Sequence, residues 1–375
     1  MKTAIALLGL ALACHHGWAQ CHKLAEVNTA SPEGQLLQQA GQESDNAKKL
    51  ALFEQFASQF PQHEAIGWVY EQMLDGYVKA GDADKALAIG DKLAAMPPEC
   101  VETSQQTLKA AELKKDPELV LKWSARTAEL AGKVVKSEQP KEADEVENWK
   151  ARVDYAKQVN TYTEYSLYAM ALQTADPKKQ IELLEALQQR NAASDYLAKA
   201  TDTLFVAYQK AGANDKAVAL AQQAAAAGHP SEDMLLILAD NAAKKKDGAN
   251  VLAYTAKLVE LMNSKPKPEG VADADWNKRK NAIVGLAHYM AGKEYVAESK
   301  FGPADKDLRA ALPLVEDNSA VKAEVLFYLG LANYKMEKIQ EAVTFFKACA
   351  ALKSPFQAQA TKNLTAIRAQ YHGVK

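Results

Sequence analysis

Leu50, Phe53, Phe56 and Phe60 recur at intervals of three and four, and so do Leu326, Leu329 and Met336, with Asn333 interrupting that second stripe. This spacing gathers apolar side chains on one face of an α-helix, whose exposed face is left to Lys, Glu, Gln and Asp. No stretch of alternating β-branched and polar residues exceeds a few positions, so strands are not expected. Helix boundaries can be read as well. Asp176 before Pro177, and Ser354 before Pro355, have the form of an N-cap followed by proline in the first turn. Gly81 and Gly212 stand where a helix would end in a left-handed residue. Links this short make neighbouring helices antiparallel. The stretches "SEQPKEADE" from 137 and "SKPKPEGVADAD" from 264 are expected to be exposed loops.

The pattern repeats. "YVKAGDADKAL" at 77–87 and "YQKAGANDKAV" at 208–218 share seven of eleven positions at an offset of 131. The same offset pairs Asp45 with Asp176, Leu52 with Leu183, Glu54 with Glu185 and Phe56 with Leu187. An internal duplication accounts for this, and self-similar units that cannot bury a face alone must stack.

Residues 323–356 make the period legible: Leu326, Leu329, Gly330, Ala342, Phe346 and Cys349 occupy positions 4, 7, 8, 20, 24 and 27 of a 34-residue frame. In this the chain resembles the tetratricopeptide repeat family. Asn333 stands where that family usually has Tyr, and Pro355 falls one place late. Small residues at 8, 20 and 27 would let two helices approach closely, with the aromatic filling the space beside them. The frame extends to 67–100 through Tyr77, Ala86 and Pro98, to 198–231 through Tyr208, Ala217, Ala221 and Ala224, and more weakly to 232–265 through Leu235, Leu238 and Ala239. The resemblance implies an all-α solenoid of stacked antiparallel helical hairpins, a TPR-like superhelix. Its expected blocks are repeats at 33–100, a helical segment outside the period at 101–163, repeats at 164–265 and at 275–356, and a capping helix at 357–371. Within them, 33–63 and 164–197 read as degenerate units, and 275–316 as one lengthened by an insert around "SKFGPAD". The cap has a stripe of Phe356, Ala360, Leu364 and Ile367.

Charge excludes some partners. The 45 basic and 47 acidic residues are finely mixed and leave a formal net charge of -2, so neither nucleic acid nor an anionic membrane is expected as a partner. The beginning of the chain reads as a secretory signal peptide over 1–19: Lys2, an apolar run from Ala4 to Ala13, then small residues. That run is shorter than the roughly 20 residues a membrane span needs. Cleavage after Ala19, leaving Gln20 first, is favoured over lipidation at Cys14, because the lipoprotein-type Leu is missing three positions before that cysteine. The protein is therefore expected to be exported, periplasmic or extracellular, with no transmembrane span. Cleavage leaves Cys21, Cys100 and Cys349, an odd number that suggests no complete disulfide framework and a fold standing on packing.

Candidate chemistry is sparse. Cys14, His15, His16, Cys21 and His22 cluster, but their spacing matches neither the usual zinc pairs nor a haem attachment site, and the leader's removal would take three of the five. No metal or cofactor is expected. His63, His229, His288 and His372 are scattered, and Glu142, Asp144, Glu145 and Glu147 read as a solvated face. Cys349 reads as a buried, inert thiol. No nucleotide-binding, metalloprotease or nucleophile-elbow string occurs, so an enzyme is not expected. An unrecognised catalytic site near Trp123, Trp149 and Tyr155 is the least favoured alternative.

The family resemblance implies instead a concave groove lined by the first helix of each pair. At position 13 the four framed copies all carry lysine: Lys79, Lys210, Lys244 and Lys335. These could hold carboxylates of a partner, although lysine also suits the negative end of a helix dipole. Equivalent groove positions fall at Trp68, Glu71 and Asp75, at Lys199 and Asp202, and at Phe327, Leu331 and Tyr334. The function expected is a non-catalytic scaffold for a protein or extended peptide. A self-assembling structural module is the alternative.

Overall fold

The computed structural model describes residues 21–24 and 26–371. The leader, Cys14 and His372 lie outside them. Among the described residues there are helices and no strand, and the chain divides into two compact units between Ala211 and Gly212.

The N-terminal unit contains α1 (Pro32–Gln42), α2 (Asn46–Gln59), α3 (Ile66–Ala80), α4 (Ala83–Ala94), α5 (Val101–Lys114), α6 (Pro117–Val135), α7 (Ala143–Gln173), α8 (Pro177–Arg190), α9 (Asp195–Lys199) and α10 (Thr201–Lys210). The C-terminal unit contains α11 (Asn214–Ala226), α12 (Glu232–Lys244), α13 (Gly248–Ser264), α14 (Asp273–Ala297), α15 (Phe301–Ala311), a 3-10 turn at Leu312–Leu314, α16 (Ser319–Lys335), α17 (Ile339–Ala350) and α18 (Gln357–Gln370). Through α8 in the first unit, and throughout the second, each helix packs on the next, as an all-α solenoid of hairpins requires. The first helices of successive pairs also touch, α3 with α5, α5 with α7 and α7 with α9, and likewise α12 with α14 and α14 with α16. They form a layer of their own in each unit.

The duplication survives as geometry. Asp45 and Asp176, one offset apart, cap α2 and α8 by accepting from the backbone N–H of Lys48 and Lys178. The Tyr77 hydroxyl donates to Glu54, and Tyr208 donates to Glu185 at 2.8 Å. Gly81 and Gly212 both turn left-handed, at φ 74° and 72°. Replacing Asp176 with Ala removes one capping acceptor and is expected to cost about 1 kcal/mol, readable as a lower urea midpoint for the N-terminal unit.

The 323–356 hairpin is α16 on α17. Its frame residues Leu326, Leu329, Gly330, Ala342, Phe346 and Cys349 are all buried. A Cβ on Gly330 would lie 2.7 Å from the Phe346 ring, so glycine is what allows the aromatic to sit there. The Cys349 thiol donates to the Ala323 carbonyl at 3.4 Å, and burial pushes its pKa up to about 11, which leaves it unreactive. Asn333 is fully buried and forms a polar knot. Its amide donates to the Leu329 carbonyl at 2.9 Å and to Asp305 at 2.6 Å, and Asp305 takes Arg309 Nε on both oxygens at 2.9 Å. Arg309 reaches on to Glu341.

Several expectations are corrected. The three cysteines do not leave the fold to packing alone: Cys21 is bonded to Cys100 across 79 residues with Cα atoms 6.0 Å apart, and Cys349 stays free. Ser354 does not cap a helix. Its carbonyl accepts from Gln357, α18 starts at Gln357 without a side-chain cap, and Pro355 lies in the preceding turn. No insert sits around "SKFGPAD", because Ser299 makes a one-residue left-handed turn at φ 60° and α15 begins at Phe301. The extra length of that hairpin lies in the 25-residue α14. The division drawn between 163 and 164 falls inside the uninterrupted α7. Trp123 is core, Trp149 donates to Ser137 at 3.0 Å and Tyr155 to Gln105 at 2.8 Å, so these aromatics hold helices rather than converge.

Candidate interaction surface

The four position-13 lysines are exposed in the last turns of α3, α10, α12 and α16. Lys79 pairs with Asp75 and Lys244 with Asp240, each at 2.6 Å and one turn apart. Such exposed pairs are worth little and can be exchanged for a partner's carboxylate. Asp202 is exposed.

The structure places other predicted groove residues elsewhere. Trp68 is 3% exposed and meets Phe53 edge-on at 5.8 Å between ring centres, so it belongs to the core. Glu71 accepts from the His22 backbone N–H at 3.0 Å, and its carboxylate lies 2.8 Å from His22 Nδ1. Burial holds the Glu71 carboxyl above its ordinary range against the lowering effect of those contacts. Phe327 packs on Phe356 at 5.0 Å, Leu331 joins the same apolar cluster, and the Tyr334 hydroxyl donates to Gln370 at 3.1 Å. These three residues support α18, which uses the end of the layer for its own docking.

Lys199 leads to a surface whose residues Tyr165, Tyr168 and Leu172 stand in the 164–197 unit where Trp68, Glu71 and Asp75 stand in 67–100. Its ammonium sits 5.6 Å from the ring centre of Tyr196 on α9. Tyr196 in turn packs on Tyr165 at 5.7 Å and on Tyr168 at 5.6 Å, both on α7. Tyr165 is 45% exposed and Leu172, one turn beyond Tyr168, is 48% exposed. The patch is held from behind. Glu164 accepts from Asn191 at 3.0 Å and from Ser194 at 2.6 Å, and Ser194 caps α9, which fixes Tyr196 against α7. On the other side Glu112 of α5 accepts from Tyr162 at 2.5 Å and from Ser166. Next to it Leu113 is also 48% exposed.

This aromatic patch had a sequence signal. Helix α7 buries Val153, Ala156, Val159, Thr163, Leu167 and Met170 on one face. Tyr165, Tyr168 and Leu172 form a second stripe at three- and four-residue spacing, and a helix with two apolar faces has one to offer a partner. Among the described residues no helix is long and apolar enough to cross a membrane.

No protein-family model matches the chain, and no curated protein matches it. Solved structures do. A chain of the APC/C hetero-tetramer Cut9–Hcn1 is 14% identical over 91% of this chain and 56% of its own, with a TM-score of 0.35. This chain thus spans little more than half the length of that protein. The TPR domain of P58(IPK) is 11% identical over 92% of this chain and 100% of its own, at a TM-score of 0.28. Yeast Tom70 is 12% identical over 93% and 66%, at 0.29. At these values the likeness is distant.

Proposed function

We propose that the chain is an exported, non-catalytic scaffold that binds a protein or an extended peptide on the first-helix layer of its N-terminal unit. The observation that carries this reading is the patch on α7 and α9 in which exposed Tyr165 and Leu172 flank half-buried Tyr168 and Tyr196. Tyrosines fixed from behind offer large contact area at little entropic cost, and they dominate binding energy where interfaces form. Lys199 at its edge, and Lys79 and Lys210 at helix ends of the same unit, supply the complement for acidic groups of the partner. The Cys21–Cys100 bond supports export, since such bonds persist in oxidising compartments. Alkylation of thiols in intact cells before lysis tests this: an exported chain carries the bond already formed, with Gln20 at its start by mass spectrometry.

Selection of displayed random peptides against the folded chain tests the surface. Selected peptides are expected to lose at least about tenfold in affinity on Tyr165→Ala, the most exposed of the rings, with the helical fold retained by circular dichroism. Peptides indifferent to that change would move the site off α7. Reversal of Lys79 and Lys210 to Glu asks whether the same peptides need the helix-end charges of that unit.

A further inference from the structure

Cys21 and His22, which follow the expected leader directly, meet two residues distant in the chain. One donor atom each from Cys21, His22 and Glu71 lie within 4.8 Å of one another. The Cys100 sulfur is bonded to that of Cys21, so it belongs to the same cluster. Two sulfurs, an imidazole and a carboxylate are the donor types that zinc takes in a tetrahedral shell.

The surroundings hold these groups in place. The His22 ring lies where Gly67 of α3 has no side chain, since a Cβ there would come within 2.5 Å of it. The ring is only 12% exposed, and its Nε2 is buried with no hydrogen-bond partner among the described residues. The ring nitrogen on the cluster side is Nδ1, 2.8 Å from the Glu71 carboxylate, where a shared ion would replace the proton between them. Glu71 is fixed by the His22 backbone N–H. Cys21 and Cys100 have Cα atoms 6.0 Å apart, close enough for both sulfurs to reach one ion.

We propose that reduction of the Cys21–Cys100 bond converts this cluster into a zinc site, with the two thiolates, His22 and Glu71 as ligands. A dithiol reductant supplies two electrons and two protons and itself becomes a disulfide; the S–S bond opens to two thiols. Zinc then displaces both thiol protons to solution. The disulfide and the metal are alternative fastenings of the segment before α1 to α3 and to the start of α5. This inference is independent of the peptide-binding reading.

Cobalt(II) is the probe, because thiolate coordination gives it a charge-transfer band and tetrahedral coordination gives intense visible bands. The full chain is purified with its disulfide formed, reduced with a phosphine, desalted without oxygen and titrated, with helicity followed by circular dichroism. The expected result is one Co2+ per reduced chain, displaced by one Zn2+, and no such bands in the oxidised chain. His22→Ala, checked for folding while still oxidised, is expected to weaken binding at least tenfold, and Cys21→Ser/Cys100→Ser to abolish the charge-transfer band. A reduced wild-type chain without that band, whether folded or not, overturns the proposal. So does a band that persists in the double serine variant, which would assign it to Cys349.

Discussion

Opening the Cys21–Cys100 bond in metal-free protein is expected to lower the stability of the N-terminal unit by about 4.5 kcal/mol. The bond closes a loop spanning 79 residues. In the chain-entropy description a loop of that length restricts the unfolded ensemble by about this amount. The folded state adds contacts that depend on the same tether: His22 over Gly67 and on Glu71. For a unit of this size the loss corresponds to a fall of about 10 °C in unfolding midpoint. Calorimetry of Cys100→Ser against wild type checks it, with Cys349→Ala as the control for the free thiol. A drop below about 1 kcal/mol would mean that the unfolded chain is already restricted between these two points.

Truncating Phe346 to Ala should cost the C-terminal unit about 3–5 kcal/mol. The ring is 1% exposed, touches Phe327 at 5.8 Å, and occupies the space that Gly330 leaves between α16 and α17. The opposite change is also damaging: Gly330→Ala puts a methyl 2.7 Å from that ring and should cost about 1–3 kcal/mol. Because the two residues share one space, the effects should not add. Gly330→Ala combined with Phe346→Leu is expected to cost less than the sum of the single changes, by at least about 0.5 kcal/mol in a double-mutant cycle under urea. Strict additivity would show that the ring moves aside freely and that close helix approach is not what glycine provides.

The hairpins were legible because they are local. Leu326, Leu329, Gly330, Ala342 and Phe346 are buried where a three- and four-residue period puts them, and Asp45 and Asp176 cap helices because capping needs only neighbours in sequence. What stayed hidden depends on distant contacts. Parity discouraged a disulfide, yet three cysteines allow one pair and one thiol, and only the return of the N-terminal segment to the start of α5 brings Cys21 to Cys100. Trp68 sits at a groove position in the frame, but Phe53 on α2 covers it. Phe327, Leu331 and Tyr334 fit the same frame and serve α18. The tyrosines of α7 were overlooked although Tyr165, Tyr168 and Leu172 stand in the 164–197 unit where Trp68, Glu71 and Asp75 stand in 67–100, because a degenerate unit with few matching residues gave no reason to follow its groove positions.

The polar knot around Asn333 limits how the C-terminal unit can deform. Sliding α15 along α16 by one turn would carry Asp305, with Arg309 still on it, away from the Asn333 amide and leave that buried amide short of one acceptor. An unsatisfied buried donor costs about 1–3 kcal/mol, so intermediate positions along that slide are disfavoured. Lengthwise shear is thus disfavoured at this joint, and compliance in the unit falls to bending at other joints.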